Sequence, residues 1–343
     1  MLIDIALDAM GSDKSPEPEI RGAILACRLL PVRVFLIGPE RTLRPLLAKQ
    51  MRRVGARHLA IKIVQASEAI GMDEKAVQAV RSKRDSSMRV GLKMVRDGTA
   101  AGFMTAGNTG AAMATAKMVL GTLPGVDRPA LVAILPTSTG KPSLLLDVGA
   151  NVDCKAKNLE QFAVMGEMYA RAVLKIARPR VGLLSIGEEE GKGNELTRET
   201  FPLLQRLPIH FLGNVEGRDI YNGHADVVVC DGFTGNVALK ASEGLARLVR
   251  DSLRESLTST VTAQVGALLS RKAFNHFKNR IDQSEYGGAP LLGVRGVCIV
   301  GHGSSNDRAI MNGIRVAAEF AQANVNAAIE QGLVALNGAP TAD

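Results

Sequence analysis

The sequence predicts a three-layer α/β sandwich on a mainly parallel mixed sheet, one catalytic unit over residues 1–343, single or bilobed. A protruding helical hairpin is expected at 241–285. Three observations carry this. Apolar runs of strand length alternate with helix-length segments, the pattern of a parallel sheet covered by helices on both faces. The runs Ala130–Leu135 and Ser143–Val148 are joined only by Pro136-Thr137-Ser138-Thr139-Gly140-Lys141-Pro142, too short for a crossover, so they form an antiparallel hairpin inside the sheet. From Lys240 to Glu285 the alternation stops and the pattern stays helical.

In chain order, strands are expected at Leu2–Leu7, Val32–Ile37, Leu59–Val64, Ala101–Thr105, Ala130–Leu135, Ser143–Val148, Val181–Ile186, Ile209–Leu212, Asp226–Cys230 and Gly296–Val300. Helices fall between most of them, for example at Pro18–Leu30, Leu43–Val54, Lys155–Ile176 and Ala309–Gly332. In the 241–285 stretch, Leu245, Val249, Leu253, Leu257, Val261, Val265 and Leu269 recur every fourth residue. Such a stripe drifts by roughly 40° per step, so one straight helix cannot bury it on one face. The run Ser256–Thr262, rich in weak helix formers, is the expected break. Two helices, Ala241–Leu257 and Lys272–Gln283, then flank an apolar tip at Thr258–Arg271.

Composition narrows the class. The chain has net charge +8, no Trp and only three Tyr, which argues against base stacking and hence against a nucleic-acid partner. The basic excess suits an acidic small molecule, an acidic protein or an anionic lipid surface. Cys27, Cys154, Cys230 and Cys298 lie far apart without CxxC spacing, as expected of reduced thiols rather than a disulfide framework or zinc site. The start, Met1 to Asp8, carries acids and no basic leader, so no signal peptide is expected. No apolar run approaches the roughly 20 residues of a membrane span.

Two loops carry the chemistry. Thr105-Ala106-Gly107-Asn108-Thr109-Gly110-Ala111 and Asp231-Gly232-Phe233-Thr234-Gly235-Asn236 each follow a strand-like run and open a helix-like one. Glycines there admit a ligand close to the backbone, and the helix start aims N–H groups and a positive dipole end at it. That chemistry holds a phosphate or a developing oxyanion, and the matched pair suggests one shared cleft. Asp8–Asp13, Asp147–Asn151 with Asp153, Arg81–Ser87, Gly187–Asn194, Asn214–Asp219 and Gly301–Arg308 also fall at segment ends, where open α/β sheets bind ligands. Gly187 to Lys192 is one residue short of a P-loop, Gly193 stands where Ser or Thr would be needed, and its glutamates repel polyphosphate. Gly301-x-Gly303-x-x-Asn306 lacks the third glycine of a dinucleotide fingerprint, and there is no Gly-x-Ser-x-Gly elbow. Asp8, Asp147, Asp153 and Asp231 are expected to cap helices and fix loops, and neither a metal nor a cofactor is expected.

Asp8–Asp13, Ala106–Ala111, Asp147–Asn151, Gly213–Asp219, Cys230–Asn236 and Tyr286–Pro290, in that order, resemble the signature segments of the bacterial phosphate acyltransferase family of phospholipid synthesis. The resemblance runs from Ile3 to about Ala328. It departs at Ser12, where glycine is usual, and at Thr105, where serine is usual. It implies a fold like isopropylmalate dehydrogenases and phosphotransacetylases. It also implies a homodimer that moves a long-chain acyl group from acyl carrier protein to inorganic phosphate and delivers acyl phosphate to a membrane glycerol-3-phosphate acyltransferase. A cytoplasmic location on the inner face of the membrane follows from that role.

Site assignments on this reading take Gly107, Asn108, Thr109, Gly110, Gly232, Thr234, Gly235, Asn236, Ser304 and Arg308 as binding phosphate or oxyanion. Which loop does which stays open. Asp231, His302, Lys192 and Arg218 are the candidate catalytic groups. Cys230, in an apolar run beside Asp231, is not expected to be a nucleophile. Arg271, Lys272, Lys278 and Arg280 are the candidate carrier contact. Val261, Val265, Leu268 and Leu269 are the candidate membrane contact, or else dimer core. Rival readings are a phosphotransacetylase-like enzyme or a metal-dependent hydroxyacid dehydrogenase on the same fold, and a non-enzymatic carrier-protein or membrane-docking module.

Overall fold

The computed structural model describes residues 2–56, 58–274 and 287–338. Its strands are β1 (Ile3–Asp8), β2 (Val32–Gly38), β3 (Ile61–Gln65), β4 (Gly102–Thr105), β5 (Ala130–Pro136), β6 (Pro142–Leu146), β7 (Arg180–Leu184), β8 (His210–Val215), β9 (Val227–Val229), β10 (Ala289–Leu292) and β11 (Cys298–Val300). They form a single 11-stranded sheet in the order β3-β2-β1-β4-β11-β10-β5-β6-β9-β7-β8. The expected β5–β6 hairpin is present, with Val132 opposite Leu146 and Pro136 opposite Pro142.

Helices cover both faces: α1 (Glu17–Leu29), α2 (Glu40–Arg53), α3 (Ala76–Ser82), α4 (Ser87–Arg96), α5 (Thr109–Leu120), α6 (Ala156–Ala172), α7 (Glu195–Arg206), α8 (Asp219–Asn222), α11 (Asp307–Gln322) and α12 (Val325–Gly338). Strand alternation divides the core in two. Ile5, Leu7, Leu144, Leu146, Val227 and Val229 pack on one face with Ile20, Phe162 and Ile314. Ala6, Leu145 and Val228 face the other, with Met88, Leu92 and Ala112. Each large aliphatic or aromatic side chain so buried contributes about 1.5–3 kcal/mol.

Two elements differ from expectation. β10 was not foreseen: its Ala289-Pro290-Leu291-Leu292 is short and carries a proline, yet it pairs antiparallel with both β11 and β5. The helix expected over Ala309–Gly332 is two, because Asn324 turns left-handed (φ 48°) between α11 and α12.

The remaining helices form an arm. α9 (Gly232–Thr258) and α10 (Val261–Leu269) are separated at Ser259-Thr260, inside the expected break. Thr260 caps α10, its hydroxyl accepting the Ala263 N–H at 3.1 Å. The apolar tip is therefore itself largely helical. Of the second helix expected at Lys272–Gln283, only its start lies within the described residues.

Strand polarity positions the site. β1, β2, β3, β4, β11 and β5 run one way, and β10, β6, β9, β7 and β8 the other. The carboxyl ends of β4 and β9 therefore leave opposite edges of the sheet. Within one chain the two glycine loops do not share a cleft, and that expectation is corrected.

Candidate functional site

At the β4 edge four segments meet. Asp13 N–H donates to Gly303 O at 2.9 Å, Gly301 N–H donates to Thr105 O at 2.7 Å, and the Asn108 amide donates to the carbonyls of Met72 (2.9 Å) and Glu74 (3.1 Å). The loops 8–13, 72–74, 105–110 and 301–308 thus form one rim. It brings Gly107, Asn108, Thr109, Gly110, His302, Ser304 and Arg308 to the same edge.

The α5 end of this rim suits an anion. Asn108 caps α5 by accepting the Ala111 N–H at 3.0 Å. That cap is neutral, so the positive end of the helix dipole is not cancelled, and no helix carbonyl can reach the first-turn N–H groups of Thr109 and Gly110. Across the rim, Ser304 N–H donates to His302 Nδ1 at 3.1 Å, and the Ser304 hydroxyl lies 2.8 Å from the same atom. Neutral His302 therefore carries its proton on Nε2, a donor exposed at the rim. Asn306 caps α11 through the Ala309 N–H at 2.9 Å.

Two buried acids stand behind the rim. Asp8 ends β1, and burial pushes its carboxyl up against the lowering effect of hydrogen bonds from Ser87, Met10 and Thr105. Glu19, on α1, accepts the Ser12 N–H at 3.0 Å and is likewise pushed up, mainly by burial. Ser12 is itself buried beside Glu19.

The β9 edge is built differently. Asp231 caps α9, accepting the Thr234 N–H at 2.9 Å and the Thr234 hydroxyl at 2.7 Å. A carboxylate there already satisfies the helix start and repels a second anion. Asp147 organises the rest: its oxygens accept the N–H groups of Leu131 (2.9 Å), Ala150 (3.1 Å) and Asn151 (2.7 Å) and the Asn151 amide (3.0 Å). Burial nevertheless lifts its carboxyl to about 6. Gly232 N–H donates to Asn151 O at 2.8 Å. A Cβ on Gly235 would stand 1.9 Å from Asp147 O, and one on Gly149 would sit in ordinary contact with Asn236 at 3.5 Å. Gly232 and Gly235 thus pack against Asp147, Thr234 is tied to Asp231, and Asn236 lies beside Gly149. The Cys230 thiol is buried and donates to Asp147 O at 3.5 Å; burial first, then Asp231 and Asp147, raise its pKa well above the ordinary value.

Lys192 and Arg218 follow β7 and β8, on the β9 side. Arg218 is held by Glu188 at 2.7 Å and Glu216 at 3.3 Å, so the structure does not bring it to the rim. Lys192 N–H donates to Glu189 O at 3.0 Å. On the arm, Val261, Val265, Leu268 and Leu269 are 53–83% exposed in the single chain. Arg271 and Lys272 follow α10, whereas Lys278, Arg280 and Tyr286 lie outside the described residues. Sequence reasoning placed Thr105 and Gly11 in segments of the site but gave neither a role, since that role is contact between loops distant in sequence. Among the described residues no group of three or more His, Cys, Asp or Glu side chains is arranged to hold a metal.

Comparison with known proteins bears on this arrangement. Residues 3–328 match the family model described as fatty acid synthesis protein. The phosphate acyltransferase of Acidobacterium capsulatum is 76% identical over 330 residues, covering 96% of this chain and 97% of that protein. A phosphotransacetylase from Streptococcus pyogenes superposes with a TM-score of 0.60 at 17% identity, over 94% of both chains. A 4-hydroxythreonine-4-phosphate dehydrogenase from Klebsiella pneumoniae gives 0.55 at 15% identity, over 93% of this chain and all (100%) of that one. These two likenesses concern the fold alone.

Proposed function

The chain belongs to the fatty acid synthesis protein family and is an enzyme of the phosphate acyltransferase type, and on that premise we propose that it moves a long-chain acyl group from an acyl carrier protein thioester to inorganic phosphate. The observation that carries the siting is the contrast between the two helix starts. The neutral Asn108 cap leaves α5 open to an anion, whereas Asp231 closes α9 to one.

In this mechanism phosphate sits on the Thr109 and Gly110 N–H groups, with His302 Nε2–H and Arg308 on the facing loop. A phosphate oxygen attacks the thioester carbon, forming a new C–O bond and a tetrahedral oxyanion, whose collapse to the acyl phosphate breaks the C–S bond. The thiolate takes up a proton and leaves with the carrier. Phosphate is already half dianionic near neutral pH, so positioning and exclusion of water supply more than a general base. The oxyanion of the tetrahedral intermediate is met by donors of the same rim, while Ser304 spends its own on His302 Nδ1. Asp231, with Gly232, Thr234, Gly235 and Asn236, keeps the opposite edge in shape, and Lys192 and Arg218 serve there rather than at phosphate. No cofactor enters this route.

The arm suits delivery. Its 27-residue helix α9 rises about 40 Å, and its exposed aliphatic tip is followed by Arg271 and Lys272. Tip and cations together fit an anionic membrane surface on the cytoplasmic side. A homodimer docked there would release acyl phosphate beside a membrane glycerol-3-phosphate acyltransferase. The same cations, with Lys278 and Arg280, offer an acidic carrier protein a landing surface. No helix among the described residues is long and apolar enough to cross a membrane.

The test is incubation with acyl carrier thioester and labelled phosphate. Labelled acyl phosphate and free carrier thiol should form in equal amounts. Thioester loss independent of phosphate would overturn the reading.

A further inference from the structure

A buried relay links β1 to the loop that opens α5. Asp8 and Thr105 are almost wholly buried, at 1% and 0% exposure. The Asp8 carboxylate accepts the Met10 N–H on Oδ1 at 3.0 Å and the Thr105 hydroxyl on Oδ2 at 2.8 Å. In that bond the Thr105 hydroxyl is the donor. Its oxygen lone pairs are then turned to Gly107, whose N–H it accepts at 3.0 Å. Packing holds the same register. A Cβ on Gly11 would fall 2.8 Å from Gly107 N and 3.0 Å from both Asp8 Oδ2 and Thr105 Oγ1. A Cβ on Gly107 would fall 2.5 Å from Met88 Cε and 3.2 Å from Gly11 Cα. The loop's remaining side-chain anchor is the Asn108 amide on Met72 O and Glu74 O.

We infer that Asp8 and Thr105 are positioning residues for the anion loop, fixing Gly107 inward so that the N–H groups of Thr109 and Gly110, past Asn108, face the phosphate. The inference rests on the phosphate siting proposed above. Neither side chain touches phosphate; they act through the direction of one peptide unit. A hydroxyl in that place is what the relay needs, so serine serves as well as threonine, while an isosteric methyl does not. Thr105→Val leaves the Gly107 N–H unpaired in the interior and takes one of the donors from Asp8, and the loop must turn to recover a partner.

The experiment compares wild type, Thr105→Ser, Thr105→Val and Val34→Ala. The last removes buried aliphatic volume from β2, remote from the rim, and controls for plain loss of stability. Steady-state rates are measured against inorganic phosphate and against acyl carrier thioester, and melting temperature with and without phosphate. Thr105→Val should raise KM for phosphate by roughly tenfold or more, with little change in KM for the thioester, and should lose the phosphate-induced rise in melting temperature. Thr105→Ser should restore both. Val34→Ala should melt lower without moving either KM. A folded Thr105→Val protein with wild-type KM for phosphate would overturn the inference. So would a Thr105→Val defect that Val34→Ala reproduces at equal loss of melting temperature. Failure of wild type itself to consume phosphate is a separate outcome and removes the phosphate siting on which the inference stands.

Discussion

At the scale of single residues, two glycines that look alike in the sequence have different work. Gly110 begins α5, and a Cβ there would meet only the Ala76 methyl, at 3.2 Å, and Asn108 Oδ1 at 3.5 Å. Gly235 has a carbonyl oxygen where its Cβ would be. Gly110→Val should therefore fold, with a melting temperature lowered modestly, yet lose most phosphate-dependent turnover because a branched side chain stands over the anion. Gly235→Ala should instead lose stability, about 3 kcal/mol or more, since backbone rather than a movable side chain must shift. Chemical denaturation and turnover of both variants check this; a stable but inactive Gly235→Ala would put the anion at the wrong loop. Cys230 belongs to the same scale. Its buried thiol is held in the protonated form by burial and two neighbouring acids, so it is no thiolate at neutral pH. Cys230→Ala should keep most of the activity, and an acyl group trapped on Cys230 in the absence of phosphate would contradict direct attack.

Elements were legible wherever one local signal decided them. The β5–β6 hairpin followed from a connection too short to cross over, and the α9–α10 break from a run of Ser and Thr that caps α10 as well as ending α9. β10 was illegible because its four residues make sense only between β11 and β5, two strands that supply its pairing from elsewhere in the chain. The division of the last helix was hidden for another reason: apolar spacing continues through Asn324, and only the backbone turns. The arm carries the prediction at this scale. Each tip side chain that enters lipid is worth roughly 1.5–3 kcal/mol, less the cost of ordering the complex. Arg271 and Lys272 add about 1 kcal/mol apiece on anionic lipid and almost nothing on neutral lipid. Wild type should float with anionic liposomes, and Val265→Asp/Leu268→Asp should not while remaining folded and unchanged in size by sedimentation. A double variant that falls to monomers identifies these residues as subunit interface; one that still floats moves the anchor elsewhere.

The whole molecule sets how its two loops relate. Three antiparallel junctions, β11–β10, β10–β5 and β5–β6, separate the β4 half from the β9 half, and an odd number reverses direction. The sequence showed the last of these junctions, itself an odd number, but not the strand order that sets it between β4 and β9, which is why matched loops suggested one cleft. Polarity now predicts that, within a chain, changes at the two loops act independently. Thr109→Ala reduces the polar lining at the α5 start, while Asp231→Asn removes the charge that closes α9 and keeps an acceptor for the Thr234 N–H. For residues far apart without shared partners, energies from kcat/KM should add to within about 0.3–0.5 kcal/mol in the double variant. Asp231→Asn alone should leave KM for phosphate unchanged, because its loop does not bind the anion. A coupling above about 1 kcal/mol would mean that the loops meet after all, in a site completed by a second copy of the chain. Mixing the two single variants would then restore activity in hybrid dimers, and independence predicts no such rescue.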